Sequence, residues 1–416
     1  MFDLDRWNEI INTITHNKSR SFLTAFGVFW GMLMLVLMVG AGRALEQGLM
    51  SQIGGFATNS CFFMPHNTSL PYKGFQKGRN WQMKNSDISI IQNKVDGIEY
   101  LSPLLFMFSS KEKNVFYNEK GGAFFIKGCY PEYNNIERSD MIYGRYINDI
   151  DIREKRKSCI IGERVYEVLF KKGENPVGKQ IKVNGIYFNV IGVSSKTSKA
   201  TVGGDPEETI IVPFSTMQQA YNMGNNIDML AATAKPNVSV KSIQEQIEEI
   251  LKQQHQISPD DKEAVFAINI EEQFKMFQYL KLGVGSLIWI VGLGTLLGGA
   301  IGVSNIMLVT VRERTKEIGI RRALGATPRN IIGQILSESV VLTVLAGIGG
   351  IVIGVGILSA VGVALSQSDQ FIKDPQISFY VSIVALIILI VVGALAGFLP
   401  AQRAMMIKPI EAIREE

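Results

Sequence analysis

Residues 304–329 read SNIMLVTVRERTKEIGIRRALGATPR, and the change of character inside that stretch decides the fold. The run leading into it, 282–311, carries no charge. As a helix it is longer than the roughly 30 Å of hydrocarbon in a bilayer requires, so it should tilt or project beyond the membrane. Then come Arg312, Arg314, Lys316, Arg321, Arg322 and Arg329, set against only Glu313 and Glu317. A second apolar run, 331–365, follows almost at once. This is a span, a short positive turn (312–329) and another span, and an excess of Lys and Arg holds such a turn on the cytoplasmic side.

The same reading extends in both directions. A first span is expected at 22–43, uncharged through Gly42 and preceded by His16, Lys18 and Arg20, which keep the N-terminus inside. A cleaved signal peptide competes here, because Ala41, Gly42 and Ala44 are small. The three-span topology it would leave does not fit the downstream charges. A fourth span is expected at 377–401, and the tail 402–416 returns Arg403, Lys408 and Arg414 to the positive side. Four spans with both termini inside satisfy the charge rule at every turn. Ahead of the first span, residues 1–21 place Trp7, Ile10, Ile11 and Ile14 on one helical face. That suits an amphipathic cytoplasmic helix lying on membrane lipid, or one packed on a partner protein.

Between the first and second spans, residues 44–280 form a polar region long enough to bury its own core. QIKVNGIYFNVIGV (180–193) has two β-rich runs around Asn184-Gly185, a strong short-range hairpin signal. Residues 210–213 read as a strand entering a helix at 215–221, and 241–254 carries Ile243, Ile247, Ile250 and Leu251 on one helical face. Another helix is expected at 87–95, with Ser86 as its N-cap. The fold class is therefore an α-helical membrane protein with four transmembrane helices and a large α+β domain inserted between helices 1 and 2. Cys61, Cys129 and Cys159 all fall in this insert. Three buried free thiols, or one disulfide plus a free thiol, are both compatible with that number.

Several chemistries are excluded. A net charge of +4 is too small to suggest nucleic acid. No GxxxxGK[ST] phosphate loop is present, so no ATP site is expected in this chain. The three histidines, His16, His66 and His255, are scattered, which removes a histidine-based metal site or catalytic triad. No catalytic, cofactor or metal residue is assigned. Glu338 is the one carboxylate near the apolar part, about two turns into the third span, within reach of an arginine on the turn.

Glycine is the other signal. Gly294, Gly298 and Gly302 recur every four residues in the second span, with Gly350 and Gly354 in the third and Gly393 and Gly397 in the fourth. Such spacing lets helices approach closely, within one subunit or across a homodimer. Few polar groups line the spans, so nothing small and hydrophilic is expected to cross through them. On the turn, Ile318, Ile320, Ala323 and Leu324 are expected to pack on one side, with Glu317, Arg321 and Arg322 facing out. Gly325 permits a bend. A short charged helix joining two spans is a surface on which a cytoplasmic partner can push.

Four blocks together resemble the permease subunits of MacB-type (FtsX-like, type VII) ABC transporters. They are HNKSRSFLTAFGVFWG, then GENPVGKQIKVNGIYFNVIGV followed by IIVPFSTMQQAY, then SNIMLVTVRERTKEIGIRRALGAT, and finally LPAQRAMMIKPIEAIREE. The resemblance covers nearly the whole chain. It implies a multi-pass protein of the bacterial inner membrane, working as a homodimer or beside a paired homologous permease. The region 44–280 would be a MacB-like periplasmic domain, porter-like with a β-rich part inserted near 118–208, and 281–416 an FtsX-like permease domain. Glu313, Arg314, Glu317, Arg321, Arg322 and Gly325 would couple to an ATP-binding subunit, expected as a separate chain that binds ATP and Mg. The implied mechanism is mechanotransmission, in which ATP hydrolysis drives a periplasmic shape change.

Export or efflux of an antimicrobial, peptide or amphipathic compound is the leading expectation, with a periplasmic adaptor and outer-membrane channel as further partners. Lipoprotein release or ATP-driven control of a cell-envelope hydrolase are the alternatives. A membrane-anchored binding protein without any ATPase is the third.

Overall fold

The computed structural model describes residues 18–108, 112–195, 202–366 and 379–407. The expected surface helix before residue 18, the link between the third and fourth spans and the tail after residue 407 lie outside them. The chain divides into two compact units, 50–278 and the combination of 1–49 with 279–416.

The unit 50–278 is built on a twelve-stranded mixed sheet. From one edge the order is Val265–Asn269, Ser60–Pro65, Met229–Ala234, Ile98–Met107, Phe125–Cys129, Thr209–Pro213, Ser158–Gly162, Ile186–Ser195, Gln180–Val183, Val115–Tyr117 and Lys120–Gly122. The twelfth strand, Asp140–Gly144, pairs with Ile186–Ser195 off this path. Two pairings are parallel, Phe125–Cys129 with Thr209–Pro213 and Ser158–Gly162 with Ile186–Ser195; the others along the path are antiparallel.

Local sequence explains much of this. The hairpin closes as the Asn-Gly pair requires, with Asn184 at φ 43°, Gly185 at φ 86° and Val183 opposite Ile186. Helix Val240–Gln254 turns Ile243, Ile247, Ile250 and Leu251 into the core, following their spacing. Strand Thr209–Pro213 runs directly into helix Phe214–Ala220.

Helix Asn85–Lys94 differs from expectation. It starts before Ser86, and the Asp87 carboxylate caps it by accepting the Lys84 backbone N–H at 2.8 Å. A carboxylate three positions into a helix also meets the positive end of the helix dipole, which a serine hydroxyl does not exploit.

Strand Ile98–Met107 carries Pro103, which has no N–H for the ladder. Pairing with Phe125–Cys129 therefore begins at Leu104, and the Ser102 hydroxyl accepts the Tyr130 N–H at 3.2 Å instead. All three cysteines are free and buried, so the disulfide alternative is not realised.

Among the described residues four helices are long and apolar enough to cross a membrane, in the stretches Ala25–Gly48, Ile270–Glu313, Pro328–Ala364 and Ile383–Met405. Glycines set how they pack. A Cβ added at Gly350 would meet the Phe29 carbonyl oxygen at 2.7 Å, and one at Gly354 would meet Val36, so the third span lies tight on the first. Gly393 and Gly397 admit Thr343 and Ser339, closing the fourth span on the third. The first and second spans meet through Gly27, Gly31 and Gly299, none of them among the glycines named from sequence, although Gly27 and Gly31 share the four-residue spacing.

Candidate functional site: the basic turn

The turn is a helix of its own, Thr315–Ala323, between the second-span helix Ile270–Glu313 and the third-span helix Pro328–Ser366. Gly325 takes φ +100°, a left-handed conformation that lets the chain leave one helix and enter the next. Pro328 then starts the third span in the first helical turn, where its missing N–H costs nothing.

The arginines are braces. Arg314 Nη1 lies 3.3 Å from Glu338 Oε1, tying the end of the second span to the third. Arg321 donates from Nη2 to Glu317 Oε1 at 2.8 Å and from Nη1 to Gln334 Oε1 at 3.0 Å. Arg322 Nη1 donates to the carbonyl oxygens of Met405, at 2.8 Å, and Ile407. Met405 is the last residue of the fourth-span helix, where partial negative charge attracts a cation, and Ile407 lies just past it.

Glu317 is exposed and Ile318 turned inward as expected, but the other five positions are reversed. Arg321 and Arg322 are half-buried and turned inward, whereas Ile320 and Leu324 are 45% and 83% exposed and Ala323 is exposed too. Only Ile318, of the four apolar residues, packs partly against the bundle core. The physical reason is that two guanidiniums find carbonyl and carboxamide acceptors inward, and the short helix cannot turn both sets the same way. Glu313 and Gly325 stand exposed beside this face. The cleft behind the helix is lined by Val311, Arg314, Ile318, Arg321, Gln334 and Glu338.

The glycine stripe Gly294, Gly298 and Gly302 has open space around it, so the packing expected of these three is not made among the described residues. Sequence reasoning missed Gln334 and the carbonyls of Met405 and Ile407. The latter lie 83 and 85 positions from Arg322 and carry no side-chain signal.

Four membrane-length helices with a mixed α/β domain between the first and the second define a multi-pass membrane protein with a large extramembrane domain. The model of the MacB-like periplasmic core domain matches residues 21–250, more than half of the chain, and that of the FtsX-like permease C-terminal region matches 289–409. The chain belongs to the MacB-like, FtsX-type permeases of ABC transporters.

Among its relatives is a macrolide export ATP-binding/permease protein, MacB, of Bdellovibrio bacteriovorus, 28% identical over 99% of this chain and 62% of the relative. Another is the pyoverdine export ATP-binding/permease protein PvdT of Pseudomonas putida, 28% identical over 96% of this chain and 58% of the relative. The chain thus spans about three fifths of the length of these relatives. The crystal structure of the periplasmic region of MacB from Actinobacillus actinomycetemcomitans aligns with 55% of this chain and 97% of its own, at 21% identity and a TM-score of 0.43.

Proposed function

We propose that this chain is the membrane-spanning permease of an export system in which an ATP-binding partner drives a shape change in the external domain by pushing on the basic turn. The carrying observation is the bracing of helix Thr315–Ala323. Arg314, Arg321 and Arg322 fasten it to the third span and to the end of the fourth, so a push on its exposed face moves several spans together. That face offers Lys316, Glu317, Ile320 and Leu324, an apolar pair rimmed by charge, which suits docking of a protein surface. ATP and Mg bind to the partner.

The open Gly294, Gly298 and Gly302 stripe is where a second permease copy would pack. Positive charge at the turn supports a cytoplasmic position for it and for both termini at the bacterial inner membrane, with the domain 50–278 in the periplasm. The cargo is an antimicrobial, peptide or amphipathic compound handled outside the inner membrane, with an adaptor and an outer-membrane channel as further partners.

The test is purification of the chain in mild detergent with whatever accompanies it. An ATPase that co-purifies and is lost on Leu324→Glu supports the reading. Retention of full ATPase association and transport by that variant would sink it.

A further inference from the structure

Strand Val265–Asn269 is an edge of the twelve-stranded sheet, paired among the described residues with Ser60–Pro65 alone; Asp140–Gly144 is another edge, broken by a register shift against Ile186–Ser195. The His66 N–H donates to the Ala264 carbonyl at 2.9 Å. In an antiparallel ladder the bonded pairs alternate, so Phe266 and Ile268 turn their backbone groups toward Ser60–Pro65. Val265 and Ala267 therefore turn their N–H and C=O groups away from the sheet, where no hydrogen-bond partner meets them among the described residues. The opposite edge, Lys120–Gly122, is only three residues long and carries two glycines and a lysine, a poor template for pairing.

A cavity of about 360 Å³ lies along the open edge. Gln244, Glu248, Lys262, Glu263, His66 and Phe266 surround it. Its two sides differ in chemistry. On the side of helix Val240–Gln254, the Asn269 amide donates to Gln244 Oε1 at 2.9 Å and the Gln244 amide donates to Glu248 Oε1 at 2.8 Å, fixing that carboxylate. Neither Glu248 nor Glu263 has a salt-bridge partner among the described residues. On the other side Phe266 is 52% exposed.

We infer that this edge binds an extended peptide segment of the cargo, whose backbone continues the sheet and whose side chains alternate basic and apolar. Backbone pairing at Val265 and Ala267 demands an extended chain. Successive side chains of a strand point to opposite faces, so one set meets Glu248 and the next meets Phe266. A cationic group satisfies the carboxylate and an apolar one covers the ring. That the peptide is cargo rests on the export function proposed above; the docking geometry does not.

The test uses the full chain in detergent without nucleotide and a fluorescent five-residue peptide of alternating lysine and valine. Two N-methylated versions are compared, differing by one residue in which alternate amides are blocked. One version loses binding by about tenfold or more, the worth of one lost hydrogen bond or slightly more, while the other keeps it. Ala267→Pro, which removes one edge N–H at a position where proline is tolerated, lowers affinity by a similar factor. Glu248→Gln weakens the lysine peptide and leaves a serine-substituted one unchanged.

Equal binding of both methylated versions, or no binding by the unmethylated peptide, overturns the inference. The methylation pair needs no substitution in the protein, so a misfolded variant does not blunt the test. Failure of the export reading leaves the methylation contrast intact, whereas failure of edge docking abolishes it.

Discussion

Arg314, at the junction of the second span and the basic helix, holds Glu338 of the third span with its Nη1 3.3 Å from the carboxylate Oε1. Both side chains are largely withdrawn from solvent. Such a pair costs more to break on one side than it contributes as a whole. Arg314→Met is expected to lower stability by about 2 kcal/mol, and Arg314→Met with Glu338→Leu to recover most of it. A double-mutant cycle on the thermal unfolding of the purified protein measures this, and additive losses would contradict a direct coupling.

The exposed apolar pair on the basic helix makes a sharper functional test than its arginines. Arg321 is bonded to both Glu317 and Gln334, so reversing its charge disturbs the brace as well as any docking. Leu324 is 83% exposed. Leu324→Glu should leave unfolding unchanged and reduce ATP-dependent transport about tenfold or more, as loss of an interface anchor does. Transport in reconstituted vesicles, beside a melting curve, reads both.

In the external domain Lys127 Nζ lies 2.7 Å from Glu137 Oε2, with both side chains almost wholly buried. Lys127→Met strands a buried carboxylate and is expected to cost about 3–5 kcal/mol. Lys127→Met combined with Glu137→Leu should cost far less. Denaturant unfolding of the two variants decides it.

Asp151 should make that domain sensitive to acid. Burial alone raises its carboxyl, but hydrogen bonds from Arg145 and the Asn148 backbone N–H and the charge of Arg156 outweigh it and hold the carboxyl below the usual range. A depressed carboxyl stabilises the fold at pH values above its unfolded value of about 3.9, and that stability is lost as pH falls through the folded value. Asp151→Asn should therefore lower stability near neutral pH and flatten the loss seen below about pH 4. Unfolding midpoints across an acid series test the sign.

The thiols should be inert in the folded protein. Burial raises all three, Cys129 to about 11, with nearby Lys127 and Tyr146 pulling only partly the other way. Thiolate is the reactive form, so maleimide at neutral pH should label none of the three until denaturant is added. Mass spectrometry counts the labels, and a disulfide would leave fewer than three after unfolding.

What the sequence determined by itself was local. Apolar runs and the charges at their ends specified four spans, because crossing hydrocarbon demands a length and a composition that no distant residue can supply. The Asn184-Gly185 hairpin and the helix carrying Ile243 and Ile247 were legible for the same reason: turn chemistry and periodicity act between near neighbours.

Tertiary structure alone decided what faces what. Arg322 turned inward because the carbonyls it meets belong to the far end of the chain, and that left Leu324 outside. Gly27 and Gly299 packed while Gly298 did not, although all three look alike in sequence. Val265 became an edge because of the strand order, which is set by long-range pairing. In each case the partner is remote along the chain, and packing in space selects among faces that local sequence leaves equivalent.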